Sequence, residues 1–449
     1  MRHLMAAGKS SMNIIYFFTG ILIFLFFIQF AITSVREKKT RAIIVSLSSA
    51  ILVAMIWFSC YILAPSNSPL LVIPIGVVVI LLALYLLPYG KPQAIKTNPA
   101  DERVDERDIM FAREEYEPGS KKYDVYYKMR PENKKIDDKI RKLPAILEPG
   151  GRYYDPALAD YIIRLFDFNE SMIAMVDGDV NPKKEDINPS AMTKQIKQMT
   201  LDLGADEVGV AGLNPAWVYS HAGRGPKEWG SPIENNHNYA IAFTLEMDYG
   251  HVEKSPYLTI TEETARQYMH GALISIKLAD YIRSLGYPAR AHIAGSNYQI
   301  MLPPVAYDAG LGELGRHGYL ISPKYGSRVR LGAVTTDLPL IADKPIAFGV
   351  QDFCEKCKKC AVNCPSNAIP YGDRTTVRGI EKWQLDMEAC LMAWRALGSD
   401  CGLCMKSCPF SHPPAFVHDI VRLGIKNSPL ARKISVWGDD LFYGKKAKY

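Results

Sequence analysis

Net charge is the first thing this 449-residue chain has little of: 53 Lys and Arg against 47 Asp and Glu leave only +6. That balance excludes a strongly basic nucleic-acid binder. Low-complexity composition is missing too. Hydrophobic residues make up 48% and charged residues 22%, so the bulk of the chain is not disordered. No repeat of solenoid period is visible, which excludes a stacked-repeat architecture. An Arg-Arg pair, the core of a twin-arginine export signal, occurs nowhere. A dispersed disulfide framework is absent as well. Of nine cysteines only Cys60 lies outside the stretch 354–408, and a chain this long buries full cores without covalent staples.

What is present begins with long apolar runs. Residues 13–35, 42–64 and 70–89 are uncharged and almost wholly apolar. Each is long enough for a hydrocarbon core, which takes roughly 20 residues, whereas the apolar region of a signal peptide runs only about 7–15. Three transmembrane helices are therefore expected, with Pro74 and Gly76 tolerated in the third. Arg36, Lys38, Lys39 and Arg41 separate the first two runs, the 65–69 loop has no basic residue, and Lys91, Lys96 and Arg103 follow the third. By the positive-inside rule the 36–41 loop and everything after residue 90 face the cytoplasm. Arg2 and Lys9 pull the other way. The expected location is the inner (cytoplasmic) membrane, multi-pass, with membrane lipid as a partner.

The expected organisation is multi-domain: a membrane anchor over 1–90, a charged linker or wrapping arm with a solvated surface over 91–150, an α/β domain over 151–345, a cysteine-rich domain over 346–415 and a tail over 416–449. A helix is predicted over 156–168 from the spacing of Leu158, Tyr161, Ile162 and Leu165. A second precedes Gly204, with Ser190 as its expected N-cap. Strands are predicted over 207–213, 239–247 and 288–293. A long helix is expected from Thr259, with Glu262 completing a capping box, to Leu285.

The cysteines carry the strongest chemical signal. Cys354-x2-Cys357-x2-Cys360-x3-Cys364-Pro365 matches the bacterial ferredoxin run. Cys401-x2-Cys404-x3-Cys408-Pro409 is the tail of a second run, and Cys390 supplies its missing first ligand. Thiolates suit iron–sulfur clusters because soft sulfur donors hold the iron. In such runs the Cys-Pro cysteine passes to the other cluster. The expected ligand sets are thus Cys354, Cys357, Cys360 and Cys408 for one [4Fe–4S] cluster, and Cys364, Cys390, Cys401 and Cys404 for a second. Zinc sites rarely carry this run. Cys60 is expected to be a small apolar residue.

Four segments then define a resemblance. Ala309-Gly-Leu-Gly-Glu-Leu-Gly-Arg316, Lys324-Tyr-Gly-Ser-Arg-Val-Arg-Leu331, Thr336-Asp-Leu-Pro-Leu340 and Phe353-Cys354, in that order, resemble the reductive dehalogenases and, less closely, the epoxyqueuosine reductases. The match runs from about Met192 to Pro409. The resemblance implies a nitroreductase-like, cobalamin-binding α/β core followed by a ferredoxin-like domain with two [4Fe–4S] clusters. It implies base-off cobalamin, and none of the nine histidines sits in an Asp-x-His-x-x-Gly context that would supply an axial ligand. Gly310, Gly312 and Gly315 would let the backbone approach the corrinoid. Ser296, Asn297, Met301 and Leu302 would line the same pocket, and Thr336 is a further cofactor-binding candidate. Twin-arginine signals and a separate small anchor protein are usual among the dehalogenases, so this chain resembles an anchor-fused, cytoplasm-facing member.

The resemblance also places a catalytic Tyr on the long helix and a basic residue after the glycine segment. Tyr268 in Thr264-Ala-Arg-Gln-Tyr-Met-His270 and Arg330 in Arg328-Val-Arg330 match, with Arg328 as the rival of Arg330. A free phenol has a pKa of about 10, and a guanidinium nearby stabilises its phenolate and eases proton delivery. The implied activity is reductive removal of halide from a small-molecule organohalide by Co(I) cobalamin, fed by a low-potential donor: ferredoxin, flavodoxin or a membrane quinol-linked carrier. One alternative is an epoxyqueuosine reductase-like enzyme, disfavoured by the apolar spans, the modest charge and the short segment after Cys408. The other is a membrane iron–sulfur relay without organic substrate, which would need neither Tyr268 nor Arg330.

Overall fold

The computed structural model describes residues 2–63, 72–99, 102–295 and 298–447, with side chains over 14–62, 73–99, 102–295 and 298–447. The chain forms two compact units, Met1–Gln93 with Pro413–Lys446 and Ala94–His412 with Ala447–Tyr449. The 65–69 loop and residues 70 and 71 lie outside the described residues.

In the first unit the helices Arg2–Arg36 and Thr40–Leu63 form an antiparallel hairpin. Tyr16 and Trp57 lock it. Their rings stack at 4.5 Å, and each donates to the other's backbone carbonyl, at 3.1 and 2.9 Å. Gly20 makes room for this, since a Cβ there would stand 2.4 Å from the indole. Among the described residues two helical segments, Ile14–Arg36 and Thr40–Ile62, are long and apolar enough to cross a membrane, not the three expected. The third apolar helix, Val72–Leu86, has 15 residues. At 1.5 Å per residue these described residues reach about 22 Å, and residues 64–71 directly before them lie outside the described residues. Pro88 accounts for its end, because the residue before a proline is pushed out of the helical region.

The segment expected as a tail is folded instead. Helices Phe416–Asn427 and Pro429–Tyr443 pack on the apolar helices through Val417, Gly424, Ile425 and Ala431. The Tyr85 ring occupies the space a side chain at Gly424 would need, and Tyr85 Oη meets Ser435 Oγ at 2.9 Å. Buried Glu37 meets His418.

The second unit is built on a four-stranded, wholly antiparallel sheet in the order Glu207–Gly212, Tyr239–Glu246, Val329–Thr336, Ala289–His292. Register sorts its residues by face. Val210, Ile241, Val334 and Ala291 align across the sheet and pack under the helix Thr259–Ser284 against Leu278 and Ile282. Ala211, Ala240, Ala242 and Ala333 face the other way, towards Trp217 and the helix Leu302–Asp308. Alanines on that face let the helix end approach closely: a Cβ on Gly209 would lie 2.1 Å from Ala309 O.

Two predicted caps are corrected. Asn188, not Ser190, caps the helix Pro189–Asp202, accepting from Ala191 N at 3.0 Å, because Pro189 fits the first helical position and moves the start two residues earlier. Thr259 lies within its helix, which has no side-chain cap, and Glu262 pairs with Arg266 at 2.6 Å rather than turning back to Thr259. Residues 91–150 are not a solvated linker. Short helices Lys121–Met129 and Pro131–Ile140 bury Tyr116, Tyr123, Tyr126 and Tyr127 together, and Arg113 bridges Asp137 at 2.7 Å. Met110 and Ile140 pack on Leu391 of the helix Met387–Leu397, so the segment wraps the cysteine-bearing region.

The glycine-rich segment fastens that region to the sheet. Glu313 is fully buried and accepts from Phe348 N at 2.6 Å and Val350 N at 3.2 Å, at the start of the helix Val350–Cys357. Arg316, also fully buried, donates to the carbonyls of Cys354 at 3.1 Å, Pro370 at 2.7 Å and Gly372 at 2.8 Å. Its guanidinium lies 4.6 Å from the Trp383 ring centroid. Arg328 does the same at the far end, donating to Ser411 O at 2.6 Å and pairing with Glu246 at 3.0 Å.

Arg316→Met keeps the side chain's unbranched stem and removes its donors. A buried carbonyl without a partner costs about 1–3 kcal/mol, so a loss of about 3 kcal/mol or more is expected. It reads out as a lower denaturant midpoint by tryptophan fluorescence. An unchanged midpoint means the carbonyls are satisfied without Arg316, and its fastening role is wrong.

Candidate active site and cysteine centres

Local backbone geometry brings the thiols together. The helix Val350–Cys357 ends at Lys358, which takes a left-handed conformation with φ 55°, and a new helical turn, Lys359–Val362, begins at once. That reversal points Cys354, Cys357 and Cys360 at one cavity, and Cys408 reaches the same cavity from the second run. Phe353, Pro409 and Phe410 supply its apolar wall, with Arg316 and His317 alongside. The second set is held by another reversal, with Cys401 at φ 59° and Gly402 at φ 67°. Cys390, Cys401 and Cys364 each lie in the electrostatic field of Cys404.

The electrostatics of these groups demand a cation. Burial pushes the Cys354 thiol up to about 12, and Cys408 adds to the rise. Burial raises Cys390 to about 12 and Cys401 to about 11. None of the eight is in a disulfide. Sulfurs gathered in this way, which disfavour one another's ionisation, suit a metal centre whose charge offsets theirs, and all-sulfur donors suit iron–sulfur clusters. Burial depresses Arg316, while Cys360, Cys354 and Cys357 favour its charged form, so it stands as a cation beside the first set. His317 is buried, and burial lowers its imidazole to about 4.

Beside the second set lie the two residues expected to form an acid–base pair, Tyr268 and Arg330. Arg330 stands on the strand Val329–Thr336, on the same face as Val334, and so meets the helix Thr259–Ser284. Thr264 and Tyr268 are four residues apart and share one helix face. Arg330 donates to Thr264 Oγ1, lies with its guanidinium carbon 5.3 Å from the Tyr268 ring centroid, and sits 3.6 Å from Asp400. Burial alone would lower Arg330, but Tyr268, Asp400, Tyr319 and Tyr298 outweigh it and its pKa is raised. Asp400 is raised by burial, which Arg330 and Thr264 oppose. Arg328, the rival, is turned away into the core and spent on Ser411, Met247 and Glu246.

Tyr219, Tyr298 and Tyr319 outline the adjoining space. Burial raises all three phenols, Tyr219 to about 12, yet each residue remains partly exposed. Side chains that are deeply surrounded but uncovered line a cleft rather than a packed core. Tyr319 is raised further by Cys404 and Cys390, so the cleft adjoins the second thiol set. Tyr219, Tyr298 and Met301 pack on the same core cluster as buried Leu302. An aromatic-walled cleft with a charged end fits a large, planar, mostly apolar cofactor.

The remaining candidates are placed as follows. Ser296 and Asn297 lie outside the described residues. The Cβ positions of Gly310 and Gly312 are filled by the carbonyls of Lys344 and Ile321, at 2.7 and 2.2 Å, and that of Gly315 by the Ile321 side chain at 2.7 Å. These glycines serve close approach of chain to chain on that side. Thr336 is buried, donates to Pro288 O at 2.7 Å and accepts from Leu338 N at 3.0 Å, so its hydroxyl holds the strand end. Sequence reasoning passed over Asp400 and Thr264. Their signals were present: Asp400 directly precedes Cys401, and Thr264 stands one helical turn before Tyr268.

Comparisons with known proteins agree with this arrangement. Residues 353–412 match the 4Fe-4S dicluster domain family. Over 294 residues, 58% of this chain and 58% of that protein, the chain is 35% identical to the tetrachloroethene reductive dehalogenase of Sulfurospirillum multivorans. The epoxyqueuosine reductase of Escherichia coli (strain K12) is 26% identical over 219 residues, 42% of this chain and 55% of that protein. Among solved structures, an N-terminally tagged catabolic reductive dehalogenase superposes with a TM-score of 0.66 at 28% identity, covering 81% of this chain and 49% of that one. A second reductive dehalogenase structure, described as suggesting a mechanism for B12-dependent dehalogenation, gives 0.62 at 26% identity with 81% and 49% coverage. The chain spans little more than half the length of the curated dehalogenase. It is a homologue of the reductive dehalogenases and a more distant relative of epoxyqueuosine reductase.

Proposed function

We propose that this protein is a reductive dehalogenase that replaces the halogen of a small organohalide with hydrogen. The observation that carries the reading is the convergence of Tyr268, Arg330 and Asp400 at one end of an aromatic cleft, with Tyr319 between that cleft and a thiol set. A purely electron-relaying protein would need no such acid–base group. The overall change consumes two electrons and one proton per carbon–halogen bond and releases halide.

Cobalamin, base-off, is the cofactor the cleft would hold between Tyr219, Tyr298 and Met301, and the chemistry it supplies when bound is reductive cleavage of the carbon–halogen bond. The chain's own residues do the rest. Tyr268 Oη is the proton donor to carbon. Arg330, charged at any physiological pH, holds the phenolate left behind. Asp400 and Thr264 fix the guanidinium in place. The low-dielectric walls strengthen each of these interactions. Cys354, Cys357, Cys360 and Cys408 hold one [4Fe–4S] cluster, and Cys364, Cys390, Cys401 and Cys404 the other. A low-potential donor, whether ferredoxin, flavodoxin or a membrane quinol-linked carrier, supplies the electrons. The helices Ile14–Arg36 and Thr40–Ile62 anchor the chain in the inner membrane. Apolar side chains such as Leu22 at 67% and Ile62 at 77% exposure face lipid, and Arg36, Lys38, Lys39 and Arg41 place their connecting loop in the cytoplasm.

Turnover of a halogenated substrate panel by anaerobically purified protein containing corrinoid tests the activity. Tyr268→Phe keeps the ring and removes the hydroxyl. Corrinoid and iron content should persist while dehalogenation falls by about 10²–10⁴-fold, as for a lost general acid. Arg330→Met should also lower turnover. Wild-type rates in Tyr268→Phe with normal cofactor content would assign the proton to another group, with Tyr298 next in line.

The ligand sets predict about eight irons per chain. They further predict that Cys408→Ala loses the same paramagnetic signal as Cys354→Ala, and Cys364→Ala the same as Cys404→Ala. Loss patterns that follow the order of the sequence instead would sink the crossed assignment.

Sidedness is tested by fusions at the C-terminus. With the apolar run through Val72–Leu86 crossing back as a third span, and with the C-terminal helices held at the loop end of the hairpin, where Arg41 donates to Leu441 O at 2.9 Å and Glu37 meets His418, a cytoplasm-dependent reporter should be active and alkaline phosphatase inactive; the reverse result overturns the orientation.

A further inference from the structure

His317 sits at the tip of the hairpin formed by Glu313–Leu314 and Leu320–Ile321, with 3% of its surface exposed. Its Nδ1 accepts from Tyr319 N at 3.2 Å. A ring nitrogen that accepts carries no proton, so in the neutral imidazole the N–H is on Nε2. That Nε2 is buried without a hydrogen-bond partner among the described residues. A buried donor left unmet is costly, about 1–3 kcal/mol, and calls for an acceptor. The ring lines the cavity shared by Cys354, Cys357, Cys360 and Cys408, whose other walls include the apolar Phe353, Pro409 and Phe410. The acceptors such a cavity offers are sulfurs.

We propose that His317 donates its Nε2–H to a sulfur of the cluster held by Cys354, Cys357, Cys360 and Cys408, and thereby sets that cluster's reduction potential above the value its apolar surroundings would give. This rests on the ligand sets proposed above. A reduced cluster carries one more negative charge, so a donor to its sulfur binds the reduced form more strongly and favours reduction. The hairpin fixes the donor rigidly. The backbone of Gly315 and Tyr319 closes the tip with a 2.9 Å bond, and the space beside Gly315 is filled by the His317 ring itself, 2.9 Å from where a Cβ would stand.

The test is potentiometric titration followed by EPR on the full-length holoprotein. His317→Phe keeps a planar ring and removes the donor. The reduced-to-oxidised ratio of one cluster at fixed potential should fall about tenfold, which is about 59 mV for one electron. The other cluster should be unchanged, and His317→Gln, whose amide N–H reaches a similar position, should restore part of the shift. The cluster affected should be the one lost in Cys354→Ala. In wild-type protein carrying ¹⁵N-histidine, pulsed EPR should detect nitrogen coupling to that cluster; this measurement needs no variant to fold. Absence of any iron–sulfur signal in the wild type would overturn the ligand sets themselves. Intact clusters with unchanged potentials in His317→Phe, a shift confined to the other cluster, or no histidine coupling in the wild type would overturn the role of His317 alone.

Discussion

Two buried charges three residues apart, Glu313 and Arg316, decide where the thiols stand relative to the sheet. Each is fully enclosed, and neither is neutralised by an ordinary ion pair in the hydrogen bonds described. Their charges are spent on the backbone. Glu313 gathers amides at the start of the helix that carries Cys354, where a carboxylate also complements the helix dipole. Arg316 gathers carbonyls from that helix and from the loop after Cys364. Burying a charge is expensive unless it is met by well-aimed hydrogen bonds, so the geometry on both sides is tightly specified. Gly310 and Gly312 before these residues and Gly315 between them let the chain press against Lys344 and Ile321 closely enough for both charges to reach.

The same constraint places the acid–base group. The strand Val329–Thr336 is held at both ends, by Arg328 on Ser411 O and by Thr336 on Pro288 O. Two-residue alternation puts Arg330 on the face of Val334, where it meets Thr264 on the long helix, whereas Arg328, one residue before the strand, engages Ser411 and Met247. Asp400 arrives from the cysteine loop rather than from the sheet. The cleft is thereby completed only when the cysteine region is docked, which couples the proton donor proposed above to the order of the cysteine region. An Arg–Asp pair in so buried a setting contributes little net stability; its physical value is a guanidinium with one orientation.

How much of this was legible in the residues differs by kind of signal. The cysteine spacing and the Tyr268–Arg330 pairing carry local chemistry in the sequence, and the structure brings those side chains together. Three strand positions followed from apolar runs, but the fourth strand, Val329–Thr336, and the wholly antiparallel order did not, because register is a long-range property that no single run encodes. Residues 91–150 read as surface because their tyrosines are spaced among charges. In the fold those charges pair, Arg113 with Asp137 and Arg141 with Asp138, and the phenols bury with them. The glycines at 310, 312 and 315 have two physical readings in sequence, a ligand's approach or a neighbouring chain's. The structure shows the second on the Cβ side of each. Of the third apolar run the described residues show the helix Val72–Leu86, which stops before Pro88.

The crossing of the two cysteine runs gives the cysteine region its cooperativity. With the ligand sets proposed above, neither cluster can be completed by one run, since Cys408 closes the first set and Cys364 the second. Metal binding free energy is then folding free energy for the whole segment, and it is released only when the helix Val350–Cys357 and the loop around Cys408 meet. Before that meeting the thiols are exposed and ordinary; after it they are enclosed by Phe353 and Phe410, whose rings cross at 5.0 Å. Enclosure raises the cost of an unmetallated state, because the buried sulfurs then oppose one another's ionisation without a compensating cation. Docking of the region onto Arg316 and Arg328 acts in the same direction, aligning carbonyls that only the folded loops present. Cluster assembly, closure of the cleft and fixation of Arg330 by Asp400 are on this account one transition.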